Sequence, residues 1–493
     1  MDSTGVRTYG GWRRSRGLGL FGLGAGPTAL LLVGVMVLVV AGTTSLRAFV
    51  VLAVPLGVVL ALSLARWDGL SLGRRLIVRL RWWWATLRGY TSYRSGVLVA
   101  TDHAWSLPGV LAATRLVSVP DRPTAYGLVH HQRRNTYTAT LVCAATSTWL
   151  ADKAEGDAWV AGWGAWLASL GHHSAIDHVA VTVDSASDPG SRLADHVSRR
   201  ILPSAPASAV RILRQLVDAA PATAADVQTR VSITFRAPTG VGPEGGEDPI
   251  DLVSRLLPGL QDSLAGCGLT VLRRASAAEL IGIVRTAFDP AVRGDIDRML
   301  HLPGGVELSQ WLDWDTAGPM MAEEHFDCYQ HDTGWSVTWA WHEAPRQQVH
   351  ADVLARLVAP GPYPKRVTLL YRPLSAAEAA HVVEREVNAA AFRAALSRVQ
   401  RRDESARDAT DRHRAQRAAL EEATGAGIGY LSLFVTVTVT DRDHLGRAVA
   451  DIEARADMAK IRLRKLLAGQ AAGFAITLPC GIFPPALART WPR

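Results

Sequence analysis

The chain is short of the motifs that usually carry chemistry. It has no GxxxxGKS or GxxxxGKT loop, so a P-loop ATPase is not encoded in it. HExxH and CxxC are also missing, which removes the common zinc-hydrolase and paired-cysteine readings. The four cysteines, Cys143, Cys267, Cys328 and Cys480, lie far apart. That pattern fits buried thiols in a reduced compartment rather than a disulfide framework. Lysine occurs only at 153, 365, 460 and 465, so nearly all positive charge is arginine. With abundant Ala and Val, this bias points to a GC-rich bacterial genome.

Acidic residues are scarce at one end. Of 53 basic and 45 acidic side chains, 12 and 2 fall in residues 1–100, leaving 41 and 43 beyond. The formal charge of +8 therefore belongs to the N-terminal fifth, and the rest is slightly acidic. A nucleic-acid-binding body would be basic, so direct nucleic-acid binding is not expected. Membrane topology and anionic lipid account better for the surplus.

What the N-terminal region does hold is apolar sequence. Residues 17–46 carry no charge and include LLLVGVMVLVV; after Arg47, residues 48–65 are again uncharged. About 20 helical residues cross a bilayer, so two closely linked spans are expected over 18–65. The first run is too long for the core of a signal peptide. Arg7, Arg13, Arg14 and Arg16 precede the spans, and Arg66, Arg74, Arg75, Arg79, Arg81 and Arg88 follow them. The positive-inside bias puts both termini in the cytoplasm of a multi-pass plasma-membrane protein, with residues 1–17 as a basic tail.

The segment RRLIVRLRWWWATLRGY then predicts a helix from Arg74 to Arg88 along the inner leaflet. Trp82, Trp83 and Trp84 would sit at headgroup level, and the arginines would reach phosphates. The expected membrane-interface residues are Arg66, Arg74, Arg75, Arg79, Arg81, Trp82, Trp83, Trp84 and Arg88. The alternative for this segment is a buried first helix of the body.

Residues 66–123 read as this helix and a linker. Beyond them the chain alternates between strand and helix patterns, giving an α+β body. One domain is expected over 124–320, with strands in TYTATLVCAATS, IDHVAVTVDSAS, RVSITFRAP and LTVLRRAS. A second is expected over 321–493. It opens with a hairpin turning at Asp332-Thr333-Gly334, continues through strands KRVTLLYRP and GYLSLFVTVTVT and a helix from 441 to 467, and ends on FAITLPCGIF. The order predicts a split βαβ, ferredoxin-like unit. The earlier half is a candidate for a related unit, although no convincing sequence repeat connects them. Residues 375–423 read as one long charged helix or a helical hairpin, either solvated and laced with i,i+4 ion pairs or an arm for a partner protein.

Other candidate residues have ordinary readings. His325, Cys328 and His331 could ligate a metal, but on a strand Cys328 points away from the histidines. His172 and His173 follow a helix and suit its C-terminus. Trp159, Trp163 and Trp166 form an apolar helix face, either core or a partner groove. GAGIG at 425–429 lies between a helix and a strand, the wrong order for a dinucleotide loop, and reads as a cap and turn. No catalytic residue, metal or cofactor is expected, and the chain is not expected to be an enzyme.

The basic N-terminus, the two linked apolar segments and the Trp/Arg-rich stretch resemble PrgI-type small membrane subunits of conjugation systems. The hairpin HFDCYQHDTGWSVTWAW, the charged helix, GIGYLSLFVTVTVT and FAITLPCGIF resemble the N-terminal, non-ATPase domain of type IV secretion ATPases. The layout is also similar to EccE components of type VII secretion. The resemblance implies an actinobacterial membrane scaffold, oligomeric within a larger complex, that contacts lipid and other membrane subunits. The chain ends at Arg493 without an ATPase module, which implies docking of a separate ATPase. A membrane-bound enzyme, for instance one acting on lipid-linked sugars, is the alternative of another class.

Overall fold

Among the described residues, thirteen strands form one sheet in which neighbouring strands run antiparallel. The computed structural model describes residues 8–10, 25–67, 70–96, 98, 106–146, 151–188, 190–219, 225–238, 248–301, 308–345, 347–384, 416–417, 419–421 and 427–487. The chain divides into two compact units. One comprises Met1–Gly10, Thr91–Ala379 and Thr424–Arg493; the other comprises Gly11–Tyr90 and Ala380–Ala423.

The smaller unit contains α1 (Ala25–Thr44), α2 (Leu46–Leu64), a ribbon of β1 (Arg66–Trp67) and β2 (Leu70–Ser71), and α3 (Leu72–Leu87). Helices α1 and α2 fold back on each other around Ser45. A Cβ at Gly34 would lie 3.0 Å from Leu56, and one at Gly42 would lie 3.6 Å from Phe49, so small residues set the close approach. Among the described residues no helix is long and apolar enough to cross a membrane, so the two expected spans are not borne out by those residues. Several positions in both helices, 25–28 and 60 among them, have side chains outside the description.

The larger unit holds β3 (Ser92–Arg94), β4 (Thr114–Asp121), β5 (Thr124–His131), β6 (Thr136–Ala145), α4 (Lys153–Ser169), β7 (Ile176–Ser187), α5 (Ser191–Ser198), α6 (Ala207–Ala219), β8 (Ala225–Arg236), α7 (Pro249–Asp262) and β9 (Leu269–Arg274). It continues through α8 (Ala277–Phe288), α9 (Arg293–His301), β10 (Met321–Glu324), β11 (Tyr329–His331), β12 (Gly334–Glu343), α10 (Ala355–Val358), β13 (Lys365–Pro373), β14 (Gly429–Val439), α11 (Leu445–Met458), β15 (Arg462–Lys465) and α12 (Gln470–Ile476).

Two strand sets share one connectivity. The first is ordered β9-β6-β8-β7 and the second β15-β12-β14-β13, in each case fourth, first, third, second. That is the split βαβ arrangement. Each set is preceded by a hairpin partner, β5 for β6 and β11 for β12. The two sets thus share one strand order. The sheet crosses the expected boundary at 320/321, because β7 and β13 pair directly.

That pairing runs from Lys365↔Ser185 to Tyr371↔Val179, with Thr368 opposite Thr182 at its centre. Joining the same strand of two like units antiparallel creates a local twofold axis. On it the two threonine hydroxyls meet at 2.9 Å, both residues buried. The same chemistry repeats on either side. Thr138 pairs with Thr234 and Thr140 with Ser232 in the first set; Ser336 pairs with Thr438 and Thr338 with Thr436 in the second.

The strand alternation sorts these side chains. One sheet face is aliphatic and is covered by α4 and α7 in the first set and by α10 and α11 in the second. The hydroxyl-bearing face is covered by α8, α9 and α12. A buried hydroxyl left without its partner costs about 1–3 kcal/mol, whereas replacing both partners can be nearly neutral. Thr368→Val should therefore destabilise by about 1–2 kcal/mol. Adding Thr182→Val should recover most of that loss in urea titrations; strictly additive losses would refute the pairing.

Three expectations change. Residues 462–465 form β15 rather than continuing a helix, because Lys460 takes a left-handed φ of 55° that ends α11. FAITLPCGIF is not the closing strand: α12 covers Gln470–Ile476 and a loop follows. Buried Gln470 explains the placement. Its side-chain amide accepts from Thr338 N at 2.7 Å and donates to Thr338 O at 3.3 Å, capping β12 as a neighbouring strand would. Strand β4 lies where a linker was expected. Of the long charged helix, residues 376–384, 416–417 and 419–421 are helical, and the remainder lies outside the described residues.

Candidate functional site on the basic helix and in the charged cleft

Helix α3 begins where Ser71 accepts a hydrogen bond from Arg74 N at 3.3 Å. None of its residues is buried, which disagrees with a buried first helix of the body. Leu76, Leu80, Trp83 and Leu87 recur at helical spacing, flanked by Ile77 and Trp84, and all six are exposed. This stripe is left outside the fold. Arg74, Arg79, Arg81 and Arg88 are also exposed, whereas Arg75 and Trp82 are half-buried. Arg88 stacks over Trp84 at 4.4 Å. Arg66 lies in β1, and its side chain falls outside the described ones.

The remaining sequence candidates separate. His331 is fully buried, with Nδ1 donating to Phe288 O at 2.6 Å and Nε2 accepting from Ser336 Oγ at 2.8 Å. His325 stacks on Trp335 instead, and Cys328 packs against the aliphatic core. Among the described residues no group of three or more His, Cys, Asp or Glu could hold a metal. Burial pushes Cys143, Cys267 and Cys328 up to about 11 and Cys480 to about 12, so none is a ready nucleophile. Trp166 is core, its Nε1 donating to Leu260 O at 3.3 Å, and Trp163 meets it edge-on. His172 closes a short turn after α4. Of GAGIG, 425–426 lie outside the described residues, and 427–428 run straight into β14.

Burial in an apolar pocket brings His331 down to about 4. An unfolded histidine titrates near 6.5, so the neutral form is favoured by folding. The stabilisation is complete above about pH 6.5 and is lost as pH falls from there towards 4, amounting to roughly 3 kcal/mol. His131 and His178 are also lowered by burial and act in the same direction. The gap in urea-unfolding free energy between pH 7.5 and 5 should be large for the wild type and smaller for His331→Gln. An equal gap in both proteins would remove His331 from the account.

Sequence reasoning missed a second site. A cleft of 340 Å³ opens between the hydroxyl-bearing sheet face and helices α8 and α9. Three guanidinium groups converge on it. Arg230, 2% exposed, donates from Nη2 to Asp184 at 2.7 Å and from Nη1 to Gln228 at 3.2 Å. Arg293 donates to Asp226 at 3.1 Å. Arg366, 6% exposed, makes no salt bridge among the described residues. Its Nε donates to Thr477 Oγ1 at 3.1 Å and its guanidinium lies 4.7 Å over Phe474, while Nη2 has no hydrogen-bond partner. Arg230 Nε is likewise unpartnered.

The electrostatics follow from that crowding. Burial alone would raise Asp184, but Arg230, Arg293 and Arg366 outweigh it and hold the carboxyl low. Burial lowers Arg366 to about 10, with Asp184 opposing the shift and Arg230 and Arg293 adding to it. At the rim, Arg273 pairs with Glu279, Asp188 accepts from Gly190 N, and Asp297 accepts from Ser191. In sequence Arg230, Arg366 and Asp184 are ordinary charged residues, each in a strand that carries other charges as well. Only the pairing β8-β7-β13 puts them side by side.

No protein-family model matches the chain, and no curated protein matches it.

Proposed function

We propose that the chain is a membrane-anchored structural subunit of a bacterial secretion or conjugation machine, type IV-like, which docks a separate ATPase. The observation that carries this reading is the attachment of the N-terminus to the body. Tyr9 exchanges backbone hydrogen bonds with Val349 at 2.7 and 2.8 Å, and its hydroxyl donates to Asp157 at 2.7 Å. A residue before the apolar hairpin and a residue far after it therefore share one side of any bilayer. That requires an even number of crossings between them.

Over the full sequence α1 has 20 residues and no charge, and α2 has 19 with a single charge, Arg47, at its start. At 1.5 Å per residue each is about 30 Å long, the thickness of a hydrocarbon core. Two crossings with Ser45 at the outer turn satisfy the parity, the length and the arginine distribution together. Helix α3 then lies at the inner surface, with its exposed stripe in the acyl boundary and Arg74, Arg79, Arg81 and Arg88 among the headgroups. The body supplies the surface for partner subunits.

The test is purification of the tagged protein from its native membrane in mild detergent, with mass spectrometry of what accompanies it. Recovery of a P-loop secretion ATPase with other membrane subunits is the expected result, and its companions distinguish a type IV-like from an EccE-like, type VII system. A solitary protein that crosslinks to no such ATPase would sink the scaffold reading. Labelling of Ser45→Cys by an impermeant maleimide in intact cells checks the hairpin separately.

A further inference from the structure

We infer that the cleft between α8, α9 and the hydroxyl-bearing sheet face binds a small phosphate-bearing ligand, its phosphoryl oxygens held by Arg366 and Arg230. The inference is independent of the membrane reading.

A guanidinium is always charged, and burying one is costly unless its N–H groups are satisfied. Arg366 is buried, its Nη2 has no partner, and the nearest carboxylate is already held by Arg230. Arg230 also keeps Nε unpartnered. Both residues line the same cleft. The charges lining the cleft balance, Arg230, Arg273, Arg293, Lys365 and Arg366 against Asp184, Asp188, Asp226, Glu279 and Asp297, but the two buried guanidinium groups, Arg230 and Arg366, share one carboxylate, Asp184. An oxyanion beside them would accept from the unpartnered donors.

Shape and chemistry narrow the ligand. The planar fork of arginine matches tetrahedral phosphate oxygens, and two buried arginines lining one cleft suit a dianion better than a single carboxylate. A volume of 340 Å³ is at the small end of ligand pockets, enough for a phosphate on a small polar body. Phe474 holds the Arg366 guanidinium plane from below, so the group is already oriented before a ligand arrives.

The probes are inorganic phosphate and glycerol 3-phosphate, titrated calorimetrically into the full-length protein in detergent, with sodium chloride at matched ionic strength as the control. Saturable binding of phosphate, with a rise in melting temperature that chloride does not reproduce, is expected. Arg366→Met keeps the apolar stem and should weaken binding at least about tenfold. Arg293→Gln, at a less buried position, should weaken it as well, and it decides the matter if Arg366→Met fails to fold. Tighter binding of glycerol 3-phosphate than of inorganic phosphate supports a soluble phosphomonoester. No saturable binding to the wild type, or unchanged binding in the folded variants, overturns the inference.

Discussion

Replacing Asp184 with Asn should cost about 3–5 kcal/mol of folding free energy, because it strands Arg230 inside the protein without its counter-charge. Arg230 is 2% exposed and, among the described residues, its carboxylate partner is Asp184, at 2.7 Å. Arg366 would lose the one anion that offsets its burial. Denaturant titration at pH 7 measures the loss; a change below about 1 kcal/mol would show that water already solvates the cleft. The pH dependence carries the same information. The folded carboxyl is held below the unfolded value of about 3.9, so its contribution is complete above that value and disappears as pH falls through the folded one. The variant should lose this part of the acid limb.

The second large effect reverses sign within two residues. A Cβ on Gly162 in α4 would lie 2.1 Å from the carbonyl oxygen of Gly266, backbone against backbone, where no rotamer can relieve the overlap. Gly162→Ala should push α4 off the turn after α7 and cost about 3 kcal/mol. Gly164, exposed on the same helix, has nothing within 4 Å of its Cβ position. Gly164→Ala should stabilise by about 0.5–1 kcal/mol, the ordinary helix preference of Ala over Gly. Melting temperatures of the two variants should move in opposite directions; a common shift would mean that the close approach does not constrain α4.

These residues show what sequence could reveal. β7 and β13 were legible to the residue, since IDHVAVTVDSAS and KRVTLLYRP are short runs rich in β-branched and apolar residues. The turn at Asp332 and Thr333 and the capped start of α8 are local patterns as well, the latter a reciprocal Ser276–Glu279 box. β15 was hidden because Arg462–Lys465 has the composition of a helix, and only the edge of β12 makes it a strand. α12 was hidden because Gln470 acts through a partner 132 positions away. The duplication was invisible because a split βαβ unit is defined by strand order, while pairs such as Thr140–Ser232 and Thr338–Thr436 ask only for hydroxyls at alternating positions. Of the sites, the basic helix could be read from composition. The cleft could not, because Arg230 and Arg366 are neighbours only through the junction of the two halves.

That junction has a consequence for what the seam can be made of. Residues on a twofold axis face their own image, as in an isologous dimer. A carboxylate or an ammonium there would repel its copy, and a methyl group would offer only contact. A hydroxyl donates and accepts at once, so it can bond to itself. Thr182 and Thr368, 2.9 Å apart at the centre of β7 and β13, give a single polypeptide the self-complementary seam of a symmetric pair.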